Sequence, residues 1–460
     1  MQFLDLQLGI WNAPYKNTYY ILCIPLLFVQ GKLTVAAALC SSAIMCATTA
    51  SAAGFQLTEQ SVAGMGRAHA GAGIVGDDVS AIHFNPAGMT LLHGLQTTVA
   101  GTYVSLDIDY KGLKGQRENG RDKPATVPAA FLSYQVNDSL WLGLAITSPY
   151  GMRIRYGSDW AAHERGISGS VTTVDINPSI AWKVNDYVSL GGGVSALWTH
   201  SKIKSGIPEG VGDGQFEYKG SDWMFTYNLG LMVTPIEDLR FGVSYRSSAH
   251  VTTRGDYYIR GNNYMNGEGD GKGRLQTPET VYISATWKPI QRLRLSGLAR
   301  WANWKKFENM RFSMDDSNNL QKTQFGQMVS IGSPGLAGML QTGLSNISIQ
   351  NDWKAAWLFS LGADLDITDQ WTIRGGIALE TDPIKHQQLR TALIPDTKRL
   401  WLTCGLSWKP TPKWQIDMAY GHIRGIGHRD LYQSDTSNVK VGKFEKMNAW
   451  MAGAAVTYRF

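Results

Sequence analysis

The chain has 460 residues and a formal net charge of +6, and only 17% of its residues are charged. It holds 50 glycines, 16 tryptophans and 19 tyrosines, so it is poor in the charged side chains that coat soluble proteins. No dense Lys/Arg block occurs in the sequence, which argues against nucleic acid as a partner. Mean hydropathy is −0.18, and nothing after residue 53 approaches the roughly 20 apolar residues of a spanning helix. This combination is typical of a transmembrane β-barrel, in which lipid-facing and lumen-facing residues alternate.

Residues 1–52 are predicted to form an export leader. An apolar run behind Lys32 ends in Ala50-Ser51-Ala52, which has the A-x-A form of a signal-peptide cleavage site. The mature chain is therefore expected to begin at Ala53. A membrane anchor formed by residues 20–50 is the alternative.

From residue 95 onward the sequence alternates with a period of two, which is the pattern of β-strands with two different faces. In the last strand one face is apolar and aromatic, whereas the other is small and polar. The apolar face is expected to contact lipid and the other face to line a lumen. The apolar set of the last strand comprises Trp450, Ala452, Ala454, Val456, Tyr458 and Phe460.

Short turns and longer polar connections alternate between these runs, which predicts a 14-stranded antiparallel transmembrane β-barrel of the all-β class. The short turns are expected to face the periplasm and the long connections the outside. A soluble all-β protein is the alternative, but it would expose few aromatic side chains. The turns are predicted at Asn137-Asp138, Asn185-Asp186, Glu237-Asp238, Pro289-Ile290, Thr368-Asp369 and Pro410-Thr411-Pro412, and the connections near residues 108–124, 153–166, 205–215, 255–275, 306–350, 381–396 and 424–443.

Residues 53–92 differ from the strands, because they are rich in Gly and Ala and have no sustained period of two. Since a 14-stranded lumen is too wide for wall side chains to fill, this segment is predicted to be a hatch inside a wall formed by residues 93–460. Asn85-Pro86-Ala87 is expected to end a short helix at about residues 78–83. The glycines of Gly71-Ala72-Gly73-Ile74-Val75-Gly76 match G-x-G-x-x-G, but no strand precedes them, so a nucleotide site is not expected.

Three motifs in this segment, Ala53-Gly54-Phe55-Gln56-Leu57, Gly64-Met65-Gly66-Arg67-Ala68 and Asn85-Pro86-Ala87, resemble the hatch of the long-chain fatty-acid outer-membrane transporter (FadL) family. The resemblance covers nearly all of residues 53–460. It implies a monomeric barrel that admits hydrophobic molecules from outside and releases them sideways into the outer membrane. We expect no enzymatic activity, cofactor or metal, and contact with outer-membrane lipid and lipopolysaccharide. The hatch residues singled out are Phe55, Gly64, Gly66, Arg67, Asn85, Pro86 and Ala87.

The lateral exit of that family is a kink in the third strand, and the third predicted strand here carries Pro149 and Gly151. A proline removes a hydrogen-bond donor from the sheet, and a nearby glycine permits a bend. These two residues are therefore the candidates for a lateral opening. A proline at the ordinary end of a strand is the alternative.

The candidate substrate-binding residues are Phe55, Trp198, Lys202, Lys204 and Arg311. Both lysines lie near the basic position of the family, although Ser205 aligns with it most directly, and solvated charge is the alternative for the three basic residues. Long-chain fatty acids are the favoured substrates, with monoaromatic hydrocarbons as the alternative within the family. A general porin and an outer-membrane hydrolase are the alternatives from other classes. Charged lumenal residues are expected to form cross-strand networks: Arg292, Arg294, Arg300, Arg374, Asp364 and Asp366.

Overall fold

The computed structural model describes residues 54–120, 124–206, 214–260, 267–314, 346–434 and 437–460. The predicted leader, residues 1–52, and the predicted mature start at Ala53 lie outside the described residues. In the described part of the chain, no helix is both long and apolar enough to cross a membrane.

Fourteen antiparallel strands form a closed barrel, which confirms the predicted fold class. Each strand pairs with its sequence neighbours, and the last strand pairs with the first over Gln96 to Gly112. The strands are β1 Leu95–Gly112, β2 Ala125–Gln135, β3 Leu140–Thr147 with Gly151–Arg155, β4 Ser168–Lys183, β5 Val188–Gly206, β6 Gln215–Ile236, β7 Leu239–Arg246 with His250–Arg260, β8 Gly267–Gln276 with Thr280–Ile290, β9 Leu293–Ala302 with Asn309–Met314, β10 Asn346–Gln350 with Ala356–Asp366, β11 Trp371–Glu380, β12 Arg399–Thr411, β13 Trp414–Gly425 and β14 Lys440–Arg459.

The two faces of each strand differ as the alternation predicts. On β11, Ile373 and Ile377 are exposed on the outer face, while Arg374 and Ala378 are buried on the inner face. Phe225 of β6 is 84% exposed in the isolated chain, which is the situation of a side chain that contacts lipid in a membrane. The apolar residues outside the barrel therefore form the lipid-facing surface.

Two predicted turns are displaced by about two residues. The strand β8 continues to Ile290 and β9 begins at Leu293, while β12 continues to Thr411 and β13 begins at Trp414. In both places the strand pairing shifts register just before the turn. Since an irregular strand end tolerates proline, Pro289 and Pro410 belong to the strand ends, and Pro412 is the proline that lies in a turn.

Several strands extend far into segments that were predicted to be polar connections. The predicted connection 255–275 contains the end of β7 and most of the first part of β8, and 306–350 contains Asn309–Met314 and Asn346–Gln350. Beyond the lipid both faces of a strand can be polar, so the period of two disappears although the backbone pairing continues. The described connections are correspondingly shorter than predicted.

Residues 54–92, which we term the N-terminal segment, contain helix α1 (Val62–Gly66), helix α2 (Ala81–Phe84) and a 3-10 helix (Pro86–Leu91). The predicted helix begins later than expected but ends at Asn85. The Asn85 Oδ1 atom accepts a hydrogen bond from the Ala87 N–H at 3.1 Å, so this side chain caps the 3-10 helix that follows.

The N-terminal segment is enclosed by the wall. Hydroxyl groups on the inner faces of four strands spaced around the barrel donate hydrogen bonds to its backbone carbonyls. Most of its side chains are buried as a result. The donors and acceptors are Thr102 and Glu59 at 3.3 Å, Ser244 and Phe84 at 2.5 Å, Ser284 and Ala72 at 3.1 Å, and Ser360 and Ala68 at 2.5 Å.

Candidate functional site

Asn85, Pro86 and Ala87 contact the wall through inward-facing glycines. The Asn85 amide donates a hydrogen bond to the Leu231 carbonyl of β6 at 3.1 Å. A Cβ atom on Gly191 would overlap the backbone of Pro86 and Ala87, and one on Gly230 would overlap the Asn85 side chain. Glycines on β5 and β6 therefore let this turn approach the wall more closely than a side chain would permit.

A second close approach holds the residues around Arg67. A Cβ atom on Gly362 or Gly376 would overlap the Arg67 backbone, and Gly66 lies against Gly405. Gly64 lies against the Ser61 side chain, whose Oγ atom accepts the Gly64 N–H at 2.8 Å. The N-terminal segment thus docks on two separate patches of wall glycines.

Buried ion pairs join the N-terminal segment to the wall. Arg67 contacts Asp77 at 2.6 Å and the β10 residue Asp364 at 3.3 Å. The β11 residue Arg374 contacts Asp77 at 3.2 Å, Asp364 at 3.0 Å and Asp417 at 3.3 Å. Arg374 and Asp364 therefore belong to the network expected from the sequence, but the network also includes residues of the N-terminal segment.

Replacing Arg67 with methionine is expected to destabilise the protein by about 3 kcal/mol, because Arg374 alone would then have to compensate the buried carboxylates of Asp77 and Asp417 and most of the charge of Asp364. The measurement is the free energy of unfolding in urea, with the protein folded in detergent micelles. Arg292 provides a control, since it is exposed and donates only to the Ile367 carbonyl at 3.2 Å. An Arg67→Met variant as stable as Arg292→Met would contradict a structural role for the network.

Two further buried clusters lie inside the barrel. The β7 residue Arg246 contacts the β4 residue Asp175 at 3.1 Å and the His83 carbonyl at 3.1 Å. The β9 residue Arg300 pairs with Glu380 and also donates to the Thr58 hydroxyl at 3.1 Å. The Arg67 network lies nearer the short turns, because Asp364 and Arg374 are each six residues along their strands from the level of Arg300 and Glu380. We term the three clusters together the charged layer.

The half of the lumen towards the long connections is apolar, and Phe55 lies within it. The Phe55 ring centroid is 5.0 Å from that of Trp304, 5.5 Å from that of Phe307 and 6.0 Å from that of Tyr150. Trp353 packs against both Trp304 and Phe307. These four wall residues, which we term the aromatic cage, all come from places where β3, β9 or β10 is interrupted.

A cavity of about 40 Å³ lies near the cage in this apolar half. Aliphatic side chains line most of it, and two arginines, Arg153 and Arg399, contribute to its lining. The aliphatic lining comes from β1, β3, the β11–β12 connection, β13 and β14: Leu106, Ile108, Met152, Ile154, Leu393, Ile394, Ile423 and Met447. The lining matches the chemistry of a molecule with an aliphatic body and an anionic end, but the cavity would have to enlarge to admit one, since ligand pockets measure roughly 300 Å³ or more.

The connection between β11 and β12, residues 381–398, folds inward and covers this cavity. Its residues Leu393 and Ile394 are buried, and the Tyr156 hydroxyl donates to the Ala392 carbonyl at 3.0 Å. The Arg165 guanidinium donates to the Arg390 carbonyl at 3.1 Å. We term residues 381–398 the inward loop.

Asp396 joins the inward loop to the N-terminal segment. Its Oδ2 atom accepts the Gly54 N–H at 2.6 Å, and its Oδ1 atom accepts from Arg399 at 2.7 Å. Burial raises the pKa of Asp396 from 3.8 to about 6, although Arg399 and the Gly54 N–H oppose the shift. Because the folded-state pKa is the higher one, the stability from this group is greatest below about pH 4 and falls as the pH rises to about 6.

Pro149 lies at the interruption of β3, and Gly151 begins the second part of the strand. The Leu57 N–H donates to the Pro149 carbonyl at 2.8 Å, and the Gly151 N–H donates to the Phe55 carbonyl at 2.8 Å. The interrupted backbone therefore bonds to the N-terminal segment. Phe55, whose ring is surrounded by the aromatic cage, thus also holds this part of β3 through its backbone carbonyl.

The strand register between β2 and β3 stops beside this interruption. Among residues 124–206, β2 pairs with β3 only from Ala130 to Gln135, and Gly151–Arg155 pairs with β4 alone. The backbone register between β2 and β3 therefore ends at Ala130, which leaves a gap in the strand pairing beyond this residue. Pro128 lies in this part of β2. A proline within a regular strand signals an unpaired edge, and this second proline was missed in the sequence.

Four of the five predicted substrate-binding residues face away from the lumen. Trp198, Lys202 and Lys204 occupy outward positions of β5, where Trp198 stacks on His200 and Lys202 contacts Glu217 at 2.8 Å. Arg311 is exposed on β9, between the buried residues Met310 and Phe312. Their positions give no support to a role in substrate binding. The alternation of residues along a strand shows which side chains share a face. Beyond the lipid both faces can be polar, so the sequence no longer shows which of the two faces the lumen.

Residues 43–460 match the family described as outer membrane protein transport protein (OMPP1/FadL/TodX). The chain belongs to this family. It is therefore a bacterial outer-membrane transporter of hydrophobic compounds and not an enzyme.

Relatives of this transporter include proteins from several bacteria. A long-chain fatty acid transport protein of Escherichia coli O6:H1 is 26% identical, over 94% of this chain and 99% of the relative. Outer membrane protein P1 of Haemophilus influenzae is 25% identical, over 84% of this chain and 89% of the relative.

Solved structures show the same barrel fold. A FadL homologue of Pseudomonas aeruginosa superposes with a TM-score of 0.75 at 21% identity, covering 88% of this chain and 99% of that chain. The toluene transporter TbuX of Ralstonia pickettii gives a TM-score of 0.62 at 18% identity, with coverages of 83% and 94%.

Proposed function

We propose that this transporter takes up long-chain fatty acids and releases them sideways through the gap between β2 and β3. The observation that carries the proposal is the position of the gap: Tyr150 and Met152, on the β3 side of it, belong to the apolar half of the lumen. A hydrophobic molecule in that half can reach lipid through the gap without crossing water, which is the favourable direction of transfer.

The charged layer supports a sideways route. A molecule that moved on towards the short turns would have to separate buried pairs such as Arg246 with Asp175 and Arg374 with Asp417. Separating such a pair leaves uncompensated charges in a medium of low polarity, and an apolar substrate cannot compensate them. The N-terminal segment would then act as the predicted hatch, because it contributes Arg67 and Asp77 to this layer.

Fatty acids are favoured by the chemistry of the cavity under the inward loop. Its walls are aliphatic, and Arg153 and Arg399 are the cationic groups that line it. A long-chain carboxylate has the matching aliphatic body and anionic end, whereas toluene has no anionic group to match the arginines. The relatives named as long-chain fatty acid transport proteins, which align over 94% of this chain, favour the same substrate.

The proposal is tested by uptake of labelled oleate and labelled toluene into cells that lack other transporters of this family. We expect the protein to support oleate uptake, and an excess of unlabelled oleate to compete. Arg399→Met should lower the apparent oleate affinity. Oleate uptake equal to that of cells without the protein would refute the fatty-acid assignment.

Monoaromatic hydrocarbons are the second candidate, and the aromatic cage favours them. The cage already holds one benzene ring, that of Phe55, at centroid distances of 5.0–6.0 Å. A free toluene ring could occupy the same place if Phe55 moved aside. Uptake of toluene but not of oleate would establish this alternative.

We also propose that the N-terminal segment moves when substrate arrives. A molecule that enlarges the cavity displaces Leu393 and Ile394, and Asp396 transmits this displacement to Gly54 through their 2.6 Å hydrogen bond. The neighbouring residue Phe55 bonds to Gly151 at the edge of the gap. Substrate in the cavity would then affect whether the gap is open or closed. Since both lie within one chain, this coupling needs no second subunit, and a monomer can carry out transport.

Asp396→Asn tests this connection, because asparagine replaces one acceptor oxygen with a donor and cannot accept at both positions. We expect backbone hydrogen exchange of residues 54–60 to become faster at pH 7. Hydrogen exchange with mass spectrometry measures this for the protein in micelles. Asp382→Asn is the matched control, since Asp382 in the same loop pairs with Lys354 at 3.6 Å. Equal exchange in the two variants would contradict the connection.

A further inference from the structure

A row of basic side chains lies on the outer face of the barrel, at the end of the long connections. We term it the basic belt; it consists of Lys202, Lys219, Arg254, Lys272, Arg274 and Arg311 on strands β5 to β9. The strand register places these residues directly opposite one another in three like-charged pairs: Lys202 with Lys219, Arg254 with Lys272, and Arg274 with Arg311.

Like charges at directly opposite positions destabilise a sheet unless other groups neutralise them. Two of the lysines have such groups, because Lys202 contacts Glu217 at 2.8 Å and Lys219 contacts Asp256 at 3.4 Å. Arg254, Arg274 and Arg311 form no ion pair with a carboxylate of the described residues. Asp256 and Asp270 face each other one row further from the membrane, so the arginines remain the net positive part of this surface.

The height of the belt is set by the aromatic residues beside it. Trp198 and Trp223 are opposite one another on β5 and β6, and Phe225 follows on the same outward face. Exposed aromatic side chains of this kind mark the interface between lipid and water. The belt begins within a few residues of this interface on the side of the long connections, where lipid headgroups lie.

The opposite side of the barrel is different. There Lys446 of β14 contacts Asp109 at 3.1 Å and Asp107 at 3.8 Å, both on β1. Lys446 is thus neutralised within the protein, whereas Arg254, Arg274 and Arg311 form no ion pair with a carboxylate of the described residues.

We propose that the basic belt binds the phosphate groups of lipopolysaccharide in the outer leaflet. Arginine guanidinium groups bind phosphate oxygens through two parallel hydrogen bonds, and three arginines within two neighbouring rows can contact the phosphates of one lipid headgroup. The occupant is a membrane lipid and not a free phosphate, because the belt borders the lipid-facing surface and lies outside the lumen.

The test is native mass spectrometry of the purified protein in detergent, with phosphorylated lipopolysaccharide and with the same lipid after removal of its phosphates. In the triple variant, Arg254, Arg274 and Arg311 are all replaced by glutamine. We expect it to bind the phosphorylated lipid about 100-fold more weakly, because each cation near a charged lipid surface contributes a factor of about ten or less to the affinity. The triple lysine variant keeps the charge but loses the paired hydrogen bonds, so its affinity should lie between those of the glutamine variant and the parent. Lys446→Gln is the matched control and should bind like the parent.

Three results would overturn the proposal: undiminished binding by the triple glutamine variant, equal binding of the dephosphorylated lipid, or inorganic pyrophosphate that binds as tightly as the lipid. All three arginines are exposed, so the glutamine variant is expected to fold. Heat-dependent migration on electrophoresis verifies the folded barrel before binding is measured.

Discussion

Deleting residues 53–92 is expected to raise the ion conductance of the reconstituted barrel on the order of tenfold, because a 14-stranded wall alone leaves an aqueous lumen. In the intact protein the N-terminal segment lies inside the wall and accepts hydrogen bonds from inward-facing hydroxyls such as those of Ser360 and Ser244. The measurement is conductance in planar lipid bilayers. Circular dichroism and heat-dependent electrophoretic migration establish that the shortened barrel is folded.

A pair of neighbouring glycines tests the same idea without removing the segment. A Cβ atom on Gly376 would overlap the backbone of Arg67 and Ala68, whereas one on Gly375 would have no atom within 4 Å. We therefore expect Gly376→Val to push the segment off the wall and increase the conductance, and Gly375→Val to leave it unchanged. Unaltered conductance in both the deletion and Gly376→Val would refute a plugging role.

The sequence was sufficient to predict the strand count, because lipid forces one face of every strand to be apolar. Trp357, Phe359 and Leu361 of β10 follow this rule, since all three side chains are exposed on the outer face. The rule ends where the lipid ends. At Lys202 and Arg311 both faces of the strand can be polar, so neither the extent of the strand nor the direction of the side chain could be derived from alternation.

The site itself was harder to predict because its parts are far apart in the chain. Phe55 meets Trp304, and Trp304 meets Trp353, only because β9 and β10 are interrupted at the same height. The inward loop was predicted as an ordinary polar connection, although Ala392, Leu393 and Ile394 form an apolar run that could have indicated burial. Asp396 gives no local signal at all, since its partner Gly54 is 342 residues away.

Replacing Pro149 and Gly151 together with valine is expected to reduce uptake of the hydrophobic substrate to the level of cells without the protein. Two valines can extend the pairing of β3 with β2 beyond Ile146, where it now stops, because valine supplies an N–H and favours a regular strand. Closing this gap removes the proposed route into lipid. The measurement is the initial rate of oleate uptake, with ion conductance recorded for the same variant.

Pro178 provides a matched control, because it is an outward-facing proline of the neighbouring strand β4 and lies opposite Leu144, below the gap. Pro178→Val should leave oleate uptake at the parental rate. A loss of uptake in both variants would indicate a general effect of strand repair on folding or export. Parental uptake in the Pro149→Val, Gly151→Val variant, with β2 and β3 shown to be paired by hydrogen exchange at residues 125–129, would rule out lateral release at this position and leave the charged layer as the barrier that substrate must cross.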